Sequence, residues 1–326
     1  MILFVNQLHT FRRAIIHAAA LSRDARLSPL AKFRRACYTG TMKKCNLCPV
    51  ACGADREKKP GRCGVGTMRI AKYYRHPYEE PCISFQNGSG AVFFTGCSLR
   101  CVFCQNYELS RAQRGKPVTP RELADIFRSL EEDGAENINL VTATHFADEV
   151  IEALTLYRPG IPIVYNTHGY EKTETLEALD PFIDIYLPDL KFYAPEISER
   201  YTGRADYFTY ASEAVRFMAR KPLRMRGDGK MLSGCIVRHL IMPLCTDDSV
   251  RIVRWIAGNL PQDTYLSLMR QYTPCGDAEK YPELRRKITS REYRKVLTCV
   301  RECGLRNVFL QDASSAGEEF IPEWDY

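Results

Sequence analysis

The chain has 326 residues, enough for one large core or two modest ones. Its 45% hydrophobic and 26% charged content is that of an ordinary folded protein, and no apolar run approaches the ~18 residues that suggest a membrane span. The net charge of +7 sits almost wholly in residues 1–41, where seven Lys or Arg face one acid, Asp24; the near-neutral body is not a nucleic-acid-binding surface on charge grounds.

Residues 1–41 form a basic N-terminal extension with three readings: chain upstream of a true start at Met42, an appended helix, or a targeting segment. Residues 42–88 form a cysteine-rich segment with a linker holding Pro77 and Pro81. Cys45, Cys48, Cys52 and Cys63 follow at spacings of two, three and ten residues. Four thiols in a Gly-rich loop can close a zinc site or hold an iron–sulfur cluster. They can also be unrelated reduced cysteines, or form a disulfide in an oxidised sample.

A strand at 91–95 runs straight into Cys97, Cys101 and Cys104. Iron–sulfur clusters are held by thiolates, and three thiolates leave one iron of a cubic cluster open. An open iron can take a substrate or cofactor, as the open position of a catalytic zinc does. A zinc knuckle would want a fourth ligand, which this loop lacks.

Downstream, continuous apolar runs predict strands at 137–142, 161–166, 183–187, 235–242, 264–269 and 307–311. Helices are predicted at 146–156, 171–179, 207–219, 247–257 and 290–302, and one more opens at a capping box, Thr119 to Glu122, with Pro120 at its first position. The alternation predicts an α/β fold, a parallel sheet with crossover helices forming a partial (β/α)6 TIM-like barrel over 89–312. Residues 313–326 are a C-terminal tail.

In such barrels the chemistry gathers at the C-terminal strand ends. Those ends carry Thr142, Thr144 and His145, then Asn166, Thr167 and His168, then Asp189 and Lys191, then Arg238 and His239, then Gln271. They are the candidate binding residues. Fourteen cysteines in clustered spacings, with no secretory signal, point to metal and a reducing cytoplasm. Cys37, Cys82, Cys235, Cys245, Cys275, Cys299 and Cys303 lack metal spacing and read as small core residues. Cys275 is the one placed to face a pocket.

The motif Cys97-x3-Cys101-x2-Cys104, with Phe103 before the last cysteine and a strand before the first, resembles the radical S-adenosylmethionine (SAM) superfamily. That resemblance implies a 4Fe–4S cluster on these cysteines. Its open iron would bind SAM, and its electron would cleave SAM to a 5′-deoxyadenosyl radical that abstracts hydrogen. With the NTHGY and DLK strand ends, residues Met42 to Asp312 are similar to activating enzymes of glycyl radical proteins, in particular the pyruvate formate-lyase activating enzyme-like sub-group. The resemblance implies that Lys191 meets the SAM carboxylate, Asp189 holds a cation nearby, and Thr167 lies in the pocket. It departs from the pattern where Asn166 replaces an acidic residue, where Thr142, Thr144 and His145 replace a glycine-rich turn, and where Gln271 replaces a histidine.

The resulting expectation is an anaerobic, cytoplasmic radical SAM oxidoreductase. Its cofactors are a 4Fe–4S cluster, SAM and a second metal, zinc or iron–sulfur, on the N-terminal cysteines. Its partners are a low-potential donor such as flavodoxin or ferredoxin and a glycyl radical protein. The alternatives are a radical SAM enzyme acting on a peptide or small molecule, or a cysteine-rich electron-transfer protein that does not cleave SAM.

Overall fold

Ten strands and nine α-helices alternate along residues 44–111 and 114–311, which the computed structural model describes. The extension 1–41, with Cys37, and the tail 313–326 lie outside the described residues. The order begins with β1 (Arg69–His76), α1 (Pro81–Ser84), β2 (Ser89–Phe94), α2 (Tyr107–Arg111) and β3 (Lys116–Pro117). It continues with α3 (Pro120–Glu132), β4 (Ile138–Val141), α4 (Ala147–Leu156), β5 (Ile163–Thr167), α5 (Thr173–Leu179) and β6 (Ile185–Pro188). Helices α6 (Pro195–Thr202) and α7 (Tyr207–Met218) precede β7 (Arg224–Met225) and β8 (Met231–Leu240). Last come α8 (Thr246–Asn259), β9 (Tyr265–Met269), α9 (Ser290–Glu302) and β10 (Val308–Leu310).

Strands β2, β4, β5, β6, β8, β9 and β10 lie side by side in chain order and all run parallel. Their sequences explain this. SGAVFF, INLV, IVYNT and IYLP are buried along their whole length, as strands covered on both faces must be. The crossover helices supply the cover. In α3 the buried residues Leu123, Ile126, Phe127 and Leu130 fall on one face. The predicted capping box forms: Thr119 Oγ1 accepts from the Glu122 N–H at 3.3 Å, and Glu122 Oε2 accepts from the Thr119 N–H at 2.6 Å.

Among the described residues the sheet does not close, since β10 and β3 end its strand order, so the fold is a partial barrel. Residues 69–76 correct the expectation of a plain linker there. RIAKYYRH is a strand antiparallel to β2, with His76 opposite Ser89. Only Ile70 of its eight residues is fully buried, and lysine and arginines interrupt the apolar ones, which hid the strand pattern. Helix α6 was not predicted either, because PEISERYT shows little apolar periodicity.

Candidate functional site

The site grows from the loop after β2. Gly96 takes a φ of +88°, and Arg100 takes +58°, unusual for a residue with a side chain. The loop is pinned by backbone bonds. Val102 N–H donates to Tyr201 O at 3.0 Å, and Asp277 N–H donates to Val102 O at 2.7 Å. Phe103 is buried edge-on against Phe192 and Tyr201, with ring centroids 5.9 and 6.4 Å away. These contacts hold Cys97, Cys101 and Cys104 at the wall of one cavity of about 530 Å³, within the usual size of a small-molecule site.

The same cavity is lined by Thr142 after β4, Asn166 and Thr167 at the end of β5, Asp189 and Lys191 after β6, Arg238 on β8 and Gln271 after β9. With His168, eight of the eleven strand-end candidates are thus brought together. Thr142 holds a left-handed φ of +61°, a strain of order 1–3 kcal/mol that surrounding structure must offset.

Thr144 and His145 correct the expectation. Thr144 Oγ1 donates to Glu171 Oε1 at 2.6 Å, and His145 Nε2–H donates to the Thr95 carbonyl at 2.8 Å. Both lie in a 3₁₀ turn, Thr144–Phe146, which sends these side chains into the core rather than the cavity. His239 is likewise bonded to Leu190 O, at 2.7 Å, and is absent from the cavity wall. His168 does line it. Its Nδ1 accepts from the Tyr170 N–H at 3.1 Å, which leaves Nε2–H to face Ser98 Oγ at 3.3 Å. Burial lowers the His168 pKa to about 3, so the ring is neutral. Cys275 does not line the cavity but donates to Phe103 O at 3.2 Å, behind the cysteine loop.

Electrostatics centre on Asp189. Lys191 Nζ lies 2.5 Å from its Oδ2, and Arg238 Nε lies 2.8 Å from its Oδ1. Arg238 Nη2 also donates to Asn166 Oδ1 at 2.6 Å. Burial pushes the Asp189 carboxyl up, but the Arg238 and Lys191 charges outweigh it and hold the group below the usual carboxylate range. Burial opposes the charge on Lys191, yet Asp189 and Cys101 keep its pKa above normal. Burial pushes the Cys97 thiol up to about 11 and raises those of Cys101 and Cys104, while the Lys191 ammonium pulls all three down. As bare thiols the three therefore stay protonated at neutral pH, and a metal must displace those protons.

The residues fit a cluster with three protein ligands: three thiols from one loop, one cavity and a cation beside them. Lys191, with hydroxyl and amide neighbours Thr167 and Gln271, fits the carboxylate and hydroxyls of SAM. A separate cation on Asp189 does not fit. Both carboxylate oxygens and Asn166 Oδ1 already accept from Lys191 or Arg238, so a guanidinium occupies that place.

Sequence reasoning missed Glu79. Its Oε1 accepts from Asn139 Nδ2 at 2.9 Å and Asn166 Nδ2 at 3.2 Å, and its Oε2 lies 3.6 Å from Arg238 Nη1. It comes from the β1–β2 connection, outside the strand-end pattern. Tyr78 and Glu80 from that connection, and His76 at the end of β1, also line the cavity. Glu171 was missed as well. Its Oε1 accepts from Thr144, Thr167 and Tyr165, directly behind the cavity wall.

The radical SAM superfamily matches residues 91–228 of the chain. An uncharacterized protein of Methanocaldococcus jannaschii is 29% identical over 280 residues, covering 82% of this chain and 77% of the relative. Among solved structures, Streptococcus suis SuiB bound to precursor peptide SuiA is 13% identical with a TM-score of 0.46, over 66% of this chain. The match spans 46% of SuiB, about half its length. A domain of pyruvate-formate lyase-activating enzyme from Bacteroides vulgatus is 11% identical with a TM-score of 0.35, over 59% of this chain and 91% of that one.

Proposed function

Since the chain carries a radical SAM domain at residues 91–228, we propose that it is an enzyme that reductively cleaves SAM and uses the product radical to abstract hydrogen from the backbone of a partner protein, as a glycyl radical activase does. The observation that carries the reading is one cavity wall holding Cys97, Cys101 and Cys104 together with Lys191. When bound, the cluster supplies one electron that breaks the sulfur–C5′ bond of SAM, leaving methionine and a 5′-deoxyadenosyl radical that takes a hydrogen atom from the substrate.

The chain's own residues bind, orient and exclude. Lys191 presents an ammonium to the SAM carboxylate, and Asp189 and Arg238 fix where that ammonium stands. Thr167 and Gln271 offer hydrogen bonds at the cavity wall. Phe103, packed on Phe192 and Tyr201, keeps water from the back of the cysteine loop. The donor in this reading is a low-potential one-electron protein.

The activase assignment is supported by the DLK strand end at Asp189–Lys191 and the NTHGY end at Asn166–Tyr170. Anaerobic incubation of the reduced protein and SAM with a glycyl radical protein tests it. A glycine-centred radical by electron paramagnetic resonance, in step with 5′-deoxyadenosine, is the expected result. SAM cleavage with no radical on any such protein would shift the substrate to another class. No SAM cleavage at all would leave an electron-transfer protein.

A further inference from the structure

Residues 44–66 are not a loose leader. The Cys45 N–H donates to Ala54 O at 3.0 Å, the Gly53 N–H returns to Cys45 O at 3.1 Å, and the Ala51 N–H donates to Cys48 O at 3.0 Å. This knuckle is tied to the barrel at α5. Thr175 Oγ1 donates to Leu47 O at 2.7 Å, and Lys172 Nζ donates to Asn46 Oδ1 at 2.5 Å. Cys45, Cys48 and Cys63 are buried, and Cys52 is exposed. A Cβ built on Gly61 would lie 2.7 Å from Cys52 Sγ and 3.9 Å from Cys63 Sγ, so those two sulfurs flank one point. Cys45 and Cys48 both feel the charge of Cys63, and Cys45 also that of Cys52. All four are free thiols.

The group touches the other cysteine loop directly. The Cys97 N–H donates to the Cys63 carbonyl at 3.1 Å. Gly96 is required at that contact, because a Cβ there would lie 2.7 Å from Cys63 O. Arg62 reaches across to Ser98 O at 3.2 Å and Thr202 O at 3.1 Å. The Arg100 guanidinium feels both Cys97 and Cys63. Arg100 Nε, and Nε and Nη2 of Arg56 beside Cys45, are buried donors without a hydrogen-bond partner among the described residues. Unpaired buried donors carry a penalty of about 1–3 kcal/mol each, more when charged. An anionic group seated on the thiols would give them an acceptor.

We propose that Cys45, Cys48, Cys52 and Cys63 hold a second 4Fe–4S cluster that relays electrons to the Cys97/Cys101/Cys104 cluster through the Cys63–Cys97 peptide contact. Four thiolates complete the ligand set of such a cluster. Its negative charge meets Arg56 and Arg100. The exposed Cys52 marks the corner a donor can approach. One electron leaves a low-potential donor protein, passes through this site, and is consumed when one SAM is split into methionine and the 5′-deoxyadenosyl radical. The donor is oxidised by one electron per turnover.

The relay role rests on the proposed function, but the site itself does not, and the experiment separates them. Full-length protein is prepared and reconstituted anaerobically with iron and sulfide. About eight irons per chain are expected, from two cubic clusters of four. The Cys97→Ala/Cys101→Ala/Cys104→Ala variant should keep about four irons, with a paramagnetic signal that SAM does not perturb. Cys52→Ala, folded by circular dichroism, should keep the SAM-perturbed signal of the Cys97/Cys101/Cys104 cluster. Its reduction by flavodoxin should slow at least tenfold. One zinc with four irons, or four irons alone, would overturn the proposal. Eight irons with unchanged flavodoxin kinetics in Cys52→Ala would overturn the relay. A loaded second cluster in a protein that never cleaves SAM would sink the proposed function and leave the site standing.

Discussion

Arg238 Nε lies 2.8 Å from Asp189 Oδ1, inside the cavity and on the strand next to Asp189. The same guanidinium reaches Asn166 and faces Glu79, so one built-in cation serves three oxygen-bearing side chains. Asn166 stands between the two charges: its Oδ1 accepts from Arg238 Nη2 at 2.6 Å and its Nδ2 donates to Glu79 Oε1 at 3.2 Å.

SAM binding is therefore expected to be indifferent to alkali cations. Calorimetric titration in sodium, potassium and tetramethylammonium buffers should give the same affinity. Arg238→Met should destabilise the protein by about 3–5 kcal/mol, because it strips a buried carboxylate of a partner. A marked sodium or potassium requirement in the wild type would refute the internal-cation account.

Lys191→Ala should weaken SAM binding by roughly ten- to a hundred-fold, taking a charge-assisted hydrogen bond as about 1.5–3 kcal/mol. Iron content should be unchanged, since Lys191 is not a ligand. Equal SAM affinity in variant and wild type would remove Lys191 from the site.

Glu171 gives a pH signature. It is buried behind Thr167, and burial outweighs its hydrogen bonds to Thr144, Thr167 and Tyr165, raising its pKa from 4.5 to about 7. The folded state thus holds this proton more tightly than the unfolded chain does. Its contribution to stability is fully present below pH 4.5 and is lost as pH rises through about 7, a swing of order 3 kcal/mol. Glu171→Gln should flatten that part of the profile in denaturant titrations at several pH values. An identical slope in the variant would show that Glu171 keeps an ordinary pKa.

The parallel strands were legible because strands buried on both faces are continuous apolar runs, as in IVYNT and INLV. The Thr119 cap was legible because its chemistry is local. Strand β1 was not, because RIAKYYRH is mostly half-buried and carries charged residues on both faces, and its pairing with β2 and β3 makes it a strand. In the site, Cys97, Cys101, Cys104, Asp189 and Lys191 were legible from spacing and strand-end position. Glu79 and Arg238 meet across distant segments, a pairing no local pattern announces. Thr144 and His145 misled because a strand end does not reveal where its 3₁₀ turn will aim the next side chains.

The most direct test is 5′-deoxyadenosine. Anaerobically reconstituted protein, SAM and dithionite should yield 5′-deoxyadenosine and methionine. The Cys97→Ala/Cys101→Ala/Cys104→Ala variant, folded by circular dichroism, should yield none. Production that survives in that variant, or no production by the iron-loaded wild type, would contradict the account.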